Sequence, residues 1–186
     1  MIIYFGKNKV SLKLSNTGNM SGTMEEYPFD GLRTRIRYTD GTFEDKDIQG
    51  ELTYSDLGKS SVTTGNTTIK AVEIGSSVTS IGDAAFYNCS KLTSVVILNG
   101  VTSIGGTAFT MCSSLTSIVI PSSITSINSY AFSICSSLTS ITFNKTMSEV
   151  SSMSNKYWGI STGAQISCTD GIITITGFSS GTMENY

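Results

Sequence analysis

The sequence predicts an α/β repeat solenoid. Three observations predict it: a 23-residue interval recurring through the middle of the chain, apolar residues fixed at the same places in each copy, and short β-branched runs between turn-forming residues. Aligned at that interval, the chain reads VEIGSSVTSIGDAAFYNCSKLTS from Val72, VVILNGVTSIGGTAFTMCSSLTS from Val95 and IVIPSSITSINSYAFSICSSLTS from Ile118. The shared apolar positions include Val72, Val95 and Ile118; Ile81, Ile104 and Ile127; Phe86, Phe109 and Phe132; and Leu92, Leu115 and Leu138. A unit this short cannot bury its own apolar face, so copies must stack, and each shared position becomes one column of a continuous interior.

Before the repeats, Val10–Leu14 alternates like a half-buried strand, and Arg33–Tyr38, Asp40-Gly41 and Thr42–Glu44 together predict a hairpin. A two-residue turn there sets Tyr38 against Phe43 and Arg37 against Glu44. Residues 1–50 are thus expected to form an N-terminal β module or cap, and residues 51–68 a linker and entry to the solenoid, with the polar run Gly58–Gly65 as a loop. Within the repeats, 69–143, strands ending at Ile74, Ile97, Ile120 and Phe143 are expected to form a parallel sheet on the concave face. A second extended piece, Val78–Ile81, leads into Gly82–Phe86, whose composition favours one or two helical turns per coil.

An open stack end invites edge-to-edge pairing, so atypical sequence is expected beyond the last repeat, in a C-terminal cap and tail over 144–186. Thr146 and Glu149 have the spacing of a capping box. Met147, Val150 and Met153 are then placed to cover the last coil, with Trp158 shielding the same edge and Gly171–Gly177 forming one more strand. One duplication lies outside the repeat period: Ser21–Tyr27 (SGTMEEY) returns as Ser180–Tyr186 (SGTMENY).

The pattern VTSIGxxAFxxCxxLTSVxIP resembles the BspA-like class of bacterial leucine-rich repeats. The likeness is tight from residue 69 to about 143. It extends to Lys145–Val150, Tyr157–Gly159 and Cys168–Gly171, which are similar to a recurrent C-terminal ending. The resemblance implies a leucine-rich repeat fold and a surface or adhesion role.

Twelve basic and fourteen acidic residues give a formal charge of −2, which offers no global field toward nucleic acid or anionic membrane. The apolar start Met1–Phe5 breaks at Gly6-Lys7, too short for a signal peptide or a membrane span. The expected locations are therefore a bacterial surface, reached after loss of an export segment, or a phage particle, which needs none; retention inside the cell also fits.

Histidine is absent, so the commonest general base is missing, and no catalytic residue, metal or cofactor is assigned. Cys89, Cys112 and Cys135 follow the repeat interval. Stacked equivalents point the same way instead of converging, so they read as small buried hydrophobes and not as a disulfide or a metal site. Arg33, Arg35 and Arg37 form a stripe on one strand face, a candidate anion-binding site weighed against a solvated face opposed by Glu44 and extended by Lys46. The candidate binding strip is the exposed side of the repeat sheet: Glu73, Ser94, Val96, Leu98, Ser117, Val119 and Thr142, flanked by Ala71, Pro121, Ser140 and Asn144.

These readings favour a non-catalytic module that binds a protein or glycan ligand, with no nucleic acid and no membrane insertion. The alternative is a structural virion or assembly component that forms a homo-oligomer through its N-terminal β module, a view motivated by the duplicated heptad.

Overall fold

Alternating β-branched residues at the end of each repeat build the main sheet. Strand Ser94–Ile97 pairs in parallel with Ile69–Ile74, and Ser117–Ile120 pairs in parallel with Ser140–Phe143. The two pairs lie side by side, with Ser94–Ile97 and Ser117–Ile120 as the facing edges of a six-stranded and a four-stranded sheet that together make up the main sheet. The offset between partners is the repeat length, so Val96 stands opposite Glu73 and Val119 opposite Thr142. A second parallel sheet runs Gly50–Leu52, Val78–Ile81, Ser103–Ile104 and Ser126–Ile127 in that order. The result is a leucine-rich repeat β-solenoid of about three turns. A computed structural model describes residues 2–5, 8–11, 13–14, 20–23, 29–153, 158–159, 165–169 and 172–176.

The interior is the set of columns that the repeat predicts. Phe86, Phe109 and Phe132 are buried, with ring centroids 4.9 and 5.5 Å apart and planes within 6° of parallel. Those separations match the spacing of neighbouring strands, so each ring occupies one coil. Leu92, Leu115 and Leu138, and Ile81, Ile104 and Ile127, form further buried columns in the same core.

The third side of each coil is not helical; among the described residues the only α-helix is Met147–Ser152, in the cap. Gly82–Cys89 is a chain of turns instead, in which Ala85 N–H donates to Gly82 O, Tyr87 N–H to Ala84 O and Cys89 N–H to Phe86 O. The intervening amides of Ala84, Phe86 and Asn88 donate to Gly106, Ala108 and Thr110 of the next coil at 2.7 to 2.9 Å. An α-helix would spend all of these donors internally; here alternate ones stitch coil to coil. The geometry requires a left-handed residue at Ala84, Thr107 and Tyr130, and another at Asn88, Met111 and Ile134, with φ between 52 and 62°. Helix propensity in Ala84-Ala85-Phe86 is overridden by this ladder.

Both ends of the main sheet finish in antiparallel strands. Thr34–Tyr38 and Thr42–Lys46 form the expected hairpin, and its first strand pairs with Ile69–Ile74. The six-stranded sheet then continues through Met20–Thr23 to Lys13–Leu14. The register differs from the sequence expectation: Arg37 opposes Phe43, Ile36 opposes Glu44 and Arg35 opposes Asp45. The turn holds three residues, Thr39 to Gly41, and Gly41 supplies the left-handed position at φ 87°, which shifts every pair by one. At the other end, Ile172–Thr176 lies antiparallel to Ser140–Phe143 and is itself paired with Gln165–Thr169.

The cap chemistry follows its sequence signature. Glu149 N–H donates to Thr146 Oγ1 at 3.3 Å, and Thr146 N–H donates to Glu149 Oε2 at 2.7 Å. Trp158 is buried with its ring 5.4 Å from Phe143, and Met153 joins the core while Val150 packs against it. The side chains of Met147 and Cys168 and the segment 180–186 lie outside the described residues.

Candidate functional site: the outer face of the repeat sheet

Strand alternation sorts the main sheet into two faces. Val95, Ile97, Ile118 and Ile120 point into the core, whereas Ser94, Val96, Ser117 and Val119 are exposed. Ala71 stands opposite Ser94 and Ser117 opposite Ser140, Glu73 opposite Val96 and Val119 opposite Thr142, and the repeat interval sets each pair beside its equivalent on the neighbouring strand. Val96 and Val119 are 44% and 49% exposed, so neighbouring strands offer two uncovered valines to solvent. Glu73, Leu98, Ser140 and Thr142 are half-buried, and Asn144 is exposed. Pro121, placed on this strip by its alternation, is instead buried, because the strand ends at Ile120 and the chain turns inward. Leu98 lies beside Gly31, where an added Cβ would be 3.7 Å from its Cδ1.

The arginine stripe borders this strip on the hairpin side. Each of its members meets a carboxylate: Arg33 pairs with Asp30 at 3.0 Å, Arg35 with Asp45 and Arg37 with Glu73. The Arg35–Asp45 pair is bidentate, with Nε to Oδ1 and Nη2 to Oδ2 both 2.7 Å, and both side chains are 2% exposed. The Arg35 guanidinium also lies 4.5 Å from the Phe43 ring centre and 5.7 Å from that of Phe29. Such a pair is a structural anchor: its partners satisfy each other where water is excluded. Glu44, expected opposite an arginine, accepts from Tyr38 Oη at 3.1 Å and lies 3.6 Å from Lys46 Nζ. Burial and the Glu44 charge both push the Tyr38 phenol above its ordinary pKa.

Lys59 was not legible as a special residue, lying in a polar run that reads as a loop. It is 4% exposed, and its Nζ donates to Ala84 O, Ala85 O and Tyr87 O at 2.9, 3.2 and 3.0 Å. Ala85 and Tyr87 are the first-coil equivalents of Ala108 and Thr110, whose carbonyls receive amides from the coil before them. The ammonium therefore stands in for the donors of an absent preceding coil. Burial holds Lys59 below the ordinary lysine pKa. At the opposite end, Phe132 N–H donates to Trp158 O at 2.8 Å, and Lys145 Nζ donates to Ser122 O at 2.6 Å.

The three repeat cysteines are buried and free. Cys112 and Cys135 donate S–H to Phe86 O and Phe109 O of the preceding coil at 3.1 and 3.0 Å. Burial raises all three thiols, Cys135 to about 12, so they are neutral at ordinary pH and poor nucleophiles. Among the described residues no helix is long and apolar enough to cross a membrane.

Residues 61–176 match the BspA type leucine rich repeat region, in six copies. The chain belongs to that family. A comparison with curated proteins returned no match. Among solved structures, the leucine-rich repeat protein of T. pallidum is similar, with 25% identity and a TM-score of 0.37 over 51% of this chain and 52% of that one. A leucine-rich cell surface protein of Faecalibacterium prausnitzii is similar over 77% of this chain and 42% of that one, with 22% identity and a TM-score of 0.35. The chain thus spans about half the length of the first and less of the second. Leucine-rich repeat proteins generally bind proteins.

Proposed function

We propose that this chain is a non-catalytic binding module that recognises a protein partner through the outer face of its repeat sheet, displayed on a bacterial surface or carried by a phage particle. The observation that carries the reading is the pair Val96 and Val119, exposed side by side on strands whose alternate residues fill the core. A rigid sheet with uncovered apolar side chains at its centre and ion pairs at its border matches the arrangement of protein interfaces, apolar inside and polar at the rim. Protein is favoured over glycan because the exposed rows contain valine, serine and threonine but no aromatic ring on which a sugar could stack.

The test is a paired substitution, Val96→Lys with Val119→Glu, screened beside the unaltered chain against arrayed proteins and glycans. Opposite charges on adjacent strands attract, so the fold is preserved. Val62→Lys is the control, since Val62 is also 44% exposed but lies outside the sheet. The expected result is a protein ligand lost by the paired variant and kept by the control. Binding indifferent to the pair, or glycan ligands alone, contradicts the proposal.

A further inference from the structure

Where the coils of Phe109 and Phe132 meet, the main sheet is interrupted. Ser94–Ile97 ends the six-stranded sheet and Ser117–Ile120 the four-stranded one, and no ladder pairing joins these two edges. At the boundaries on either side the ladder is continuous. There Thr93 and Thr139 donate both N–H and hydroxyl to Lys70 O and Thr116 O, and Leu98 N–H and Asn144 N–H donate to Ile74 O and Ile120 O. At the interrupted boundary, among the described residues, neither group of Thr116 donates to Thr93, and the place of Leu98 and Asn144 is taken by Pro121, which has no N–H to give. The same two coils are bonded on their other two sides. Ser103–Ile104 pairs with Ser126–Ile127, and the amides of Thr107, Phe109 and Met111 donate to Ser129 O, Ala131 O and Ser133 O at 2.7 to 3.0 Å.

Packing records the same interruption. The phenylalanine rings are 4.9 Å apart at the boundary before and 5.5 Å apart at this one. Val95 and Ile97, 6% and 7% exposed, are the least buried members of their columns, in which Val72, Ile74, Ile118 and Ile120 are at 0 to 2%. The main sheet is thus two rigid ladders with a seam between them, and Val96 and Val119 stand on its two lips.

Unpaired strand edges recruit another strand. We infer that the seam between Ser94–Ile97 and Ser117–Ile120 is where the protein partner docks, by inserting an extended segment that hydrogen-bonds to both edges. The walls set the chemistry of that segment. Its alternate residues enter the core between Val95 and Ile118 and between Ile97 and Ile120, so they are apolar and β-branched like the columns they join, and the intervening ones emerge between Val96 and Val119. Main-chain bonds then supply affinity and the inward side chains supply specificity. Admission widens the seam by one strand spacing, about 4.8 Å, while the two bonded sides act as its hinge. The inference rests on the reading of this face as the protein-binding surface and adds how the partner is held.

The probe is a synthetic peptide with the sequence of Leu92–Leu98, LTSVVIL, carrying a lysine at each end for solubility. It is added to the full-length chain, and amide exchange is followed by mass spectrometry. Exchange over 94–97 and over 117–120 is expected to slow about tenfold, while 140–143, already paired on both sides, is unchanged. A control peptide with Val95→Asp and Ile97→Asp is expected to have no effect. In the chain, Pro121→Ala restores a donor facing Ile97 O, so it should slow exchange at both edges without peptide and weaken peptide binding about tenfold. If Pro121→Ala does not fold, as judged by circular dichroism, the two peptides on the unaltered chain decide. No slowing, slowing at one edge alone, or equal slowing by the control peptide overturns the inference. So does slowing that appears on concentrating the unaltered chain by itself, which assigns the seam to a second copy. A chain that ignores the peptide yet loses its protein ligand through Val96→Lys with Val119→Glu refutes strand insertion and leaves the face as the binding surface.

Discussion

Replacing Lys59 with methionine keeps an unbranched stem out to Cε and removes the terminal ammonium with its three donors. In the structure Nζ serves Ala84 O, Ala85 O and Tyr87 O, at 2.9, 3.2 and 3.0 Å. Ala84 O also accepts Tyr87 N–H, so two carbonyls, those of Ala85 and Tyr87, lose the donor that replaces a preceding coil. Each buried acceptor left without a partner costs about 1–3 kcal/mol. Against that loss stands relief from burying a charge, whose cost shows in the depressed lysine pKa. The balance predicts that Lys59→Met destabilises the chain by about 2 kcal/mol, measured by urea unfolding, with amide exchange accelerated most at Ala84, Phe86 and Asn88. The pH dependence has a defined sign. Since the folded-state pKa lies below the unfolded value, the unfolded chain holds the extra proton between the two, and the unaltered protein gains stability relative to Lys59→Met as pH rises through that window. Equal or greater stability for Lys59→Met at pH 7 would refute the assignment of this lysine as the end plug of the turn ladder.

Asp45→Asn should cost about 3–5 kcal/mol by stranding the buried Arg35 charge, while Arg35→Met with Asp45→Leu should cost less than that single change; unfolding titrations of the two variants give the comparison. Cys89, Cys112 and Cys135 should resist an aqueous thiol reagent in the native protein and react within minutes in denaturant, followed residue by residue by mass spectrometry. Ile134 is a β-branched residue held at φ 56° and half-exposed, so Ile134→Asn should raise stability by about 1 kcal/mol in the same urea assay; a loss would show that the isoleucine packs against something it needs.

The columns of the core were legible because stacking imposes the same demand at the same place in every coil, so Phe86, Phe109 and Phe132 advertise their contact through spacing alone. The exposed valines followed from strand alternation, and the capping box from the chemistry of Thr146 and Glu149. The features that escaped depend on neighbours the local sequence does not contain. Ala84 and Ala85 look helical until the next coil claims alternate amides. The hairpin register turned on whether the turn holds two residues or three, which Asp40-Gly41 alone leaves open, and with it went the Arg35–Asp45 pair. Lys59 reads as loop because nothing nearby reveals that a ladder of carbonyls ends beside it. Pro121 was misplaced for a similar reason: alternation says which face a residue takes only while the strand lasts.

The stack of coils on which both the exposed face and the end plugs depend is tested most directly by double-mutant cycles on the phenylalanine column. With centroids 4.9 Å apart and nearly parallel planes, Phe86 and Phe109 should show a coupling of about 1 kcal/mol when each is changed to leucine singly and together. Phe86 and Phe132, two coils apart, should couple by less than about 0.3 kcal/mol. Equal coupling for the two pairs, or none for the adjacent pair, would contradict a solenoid in which these rings sit one upon the next.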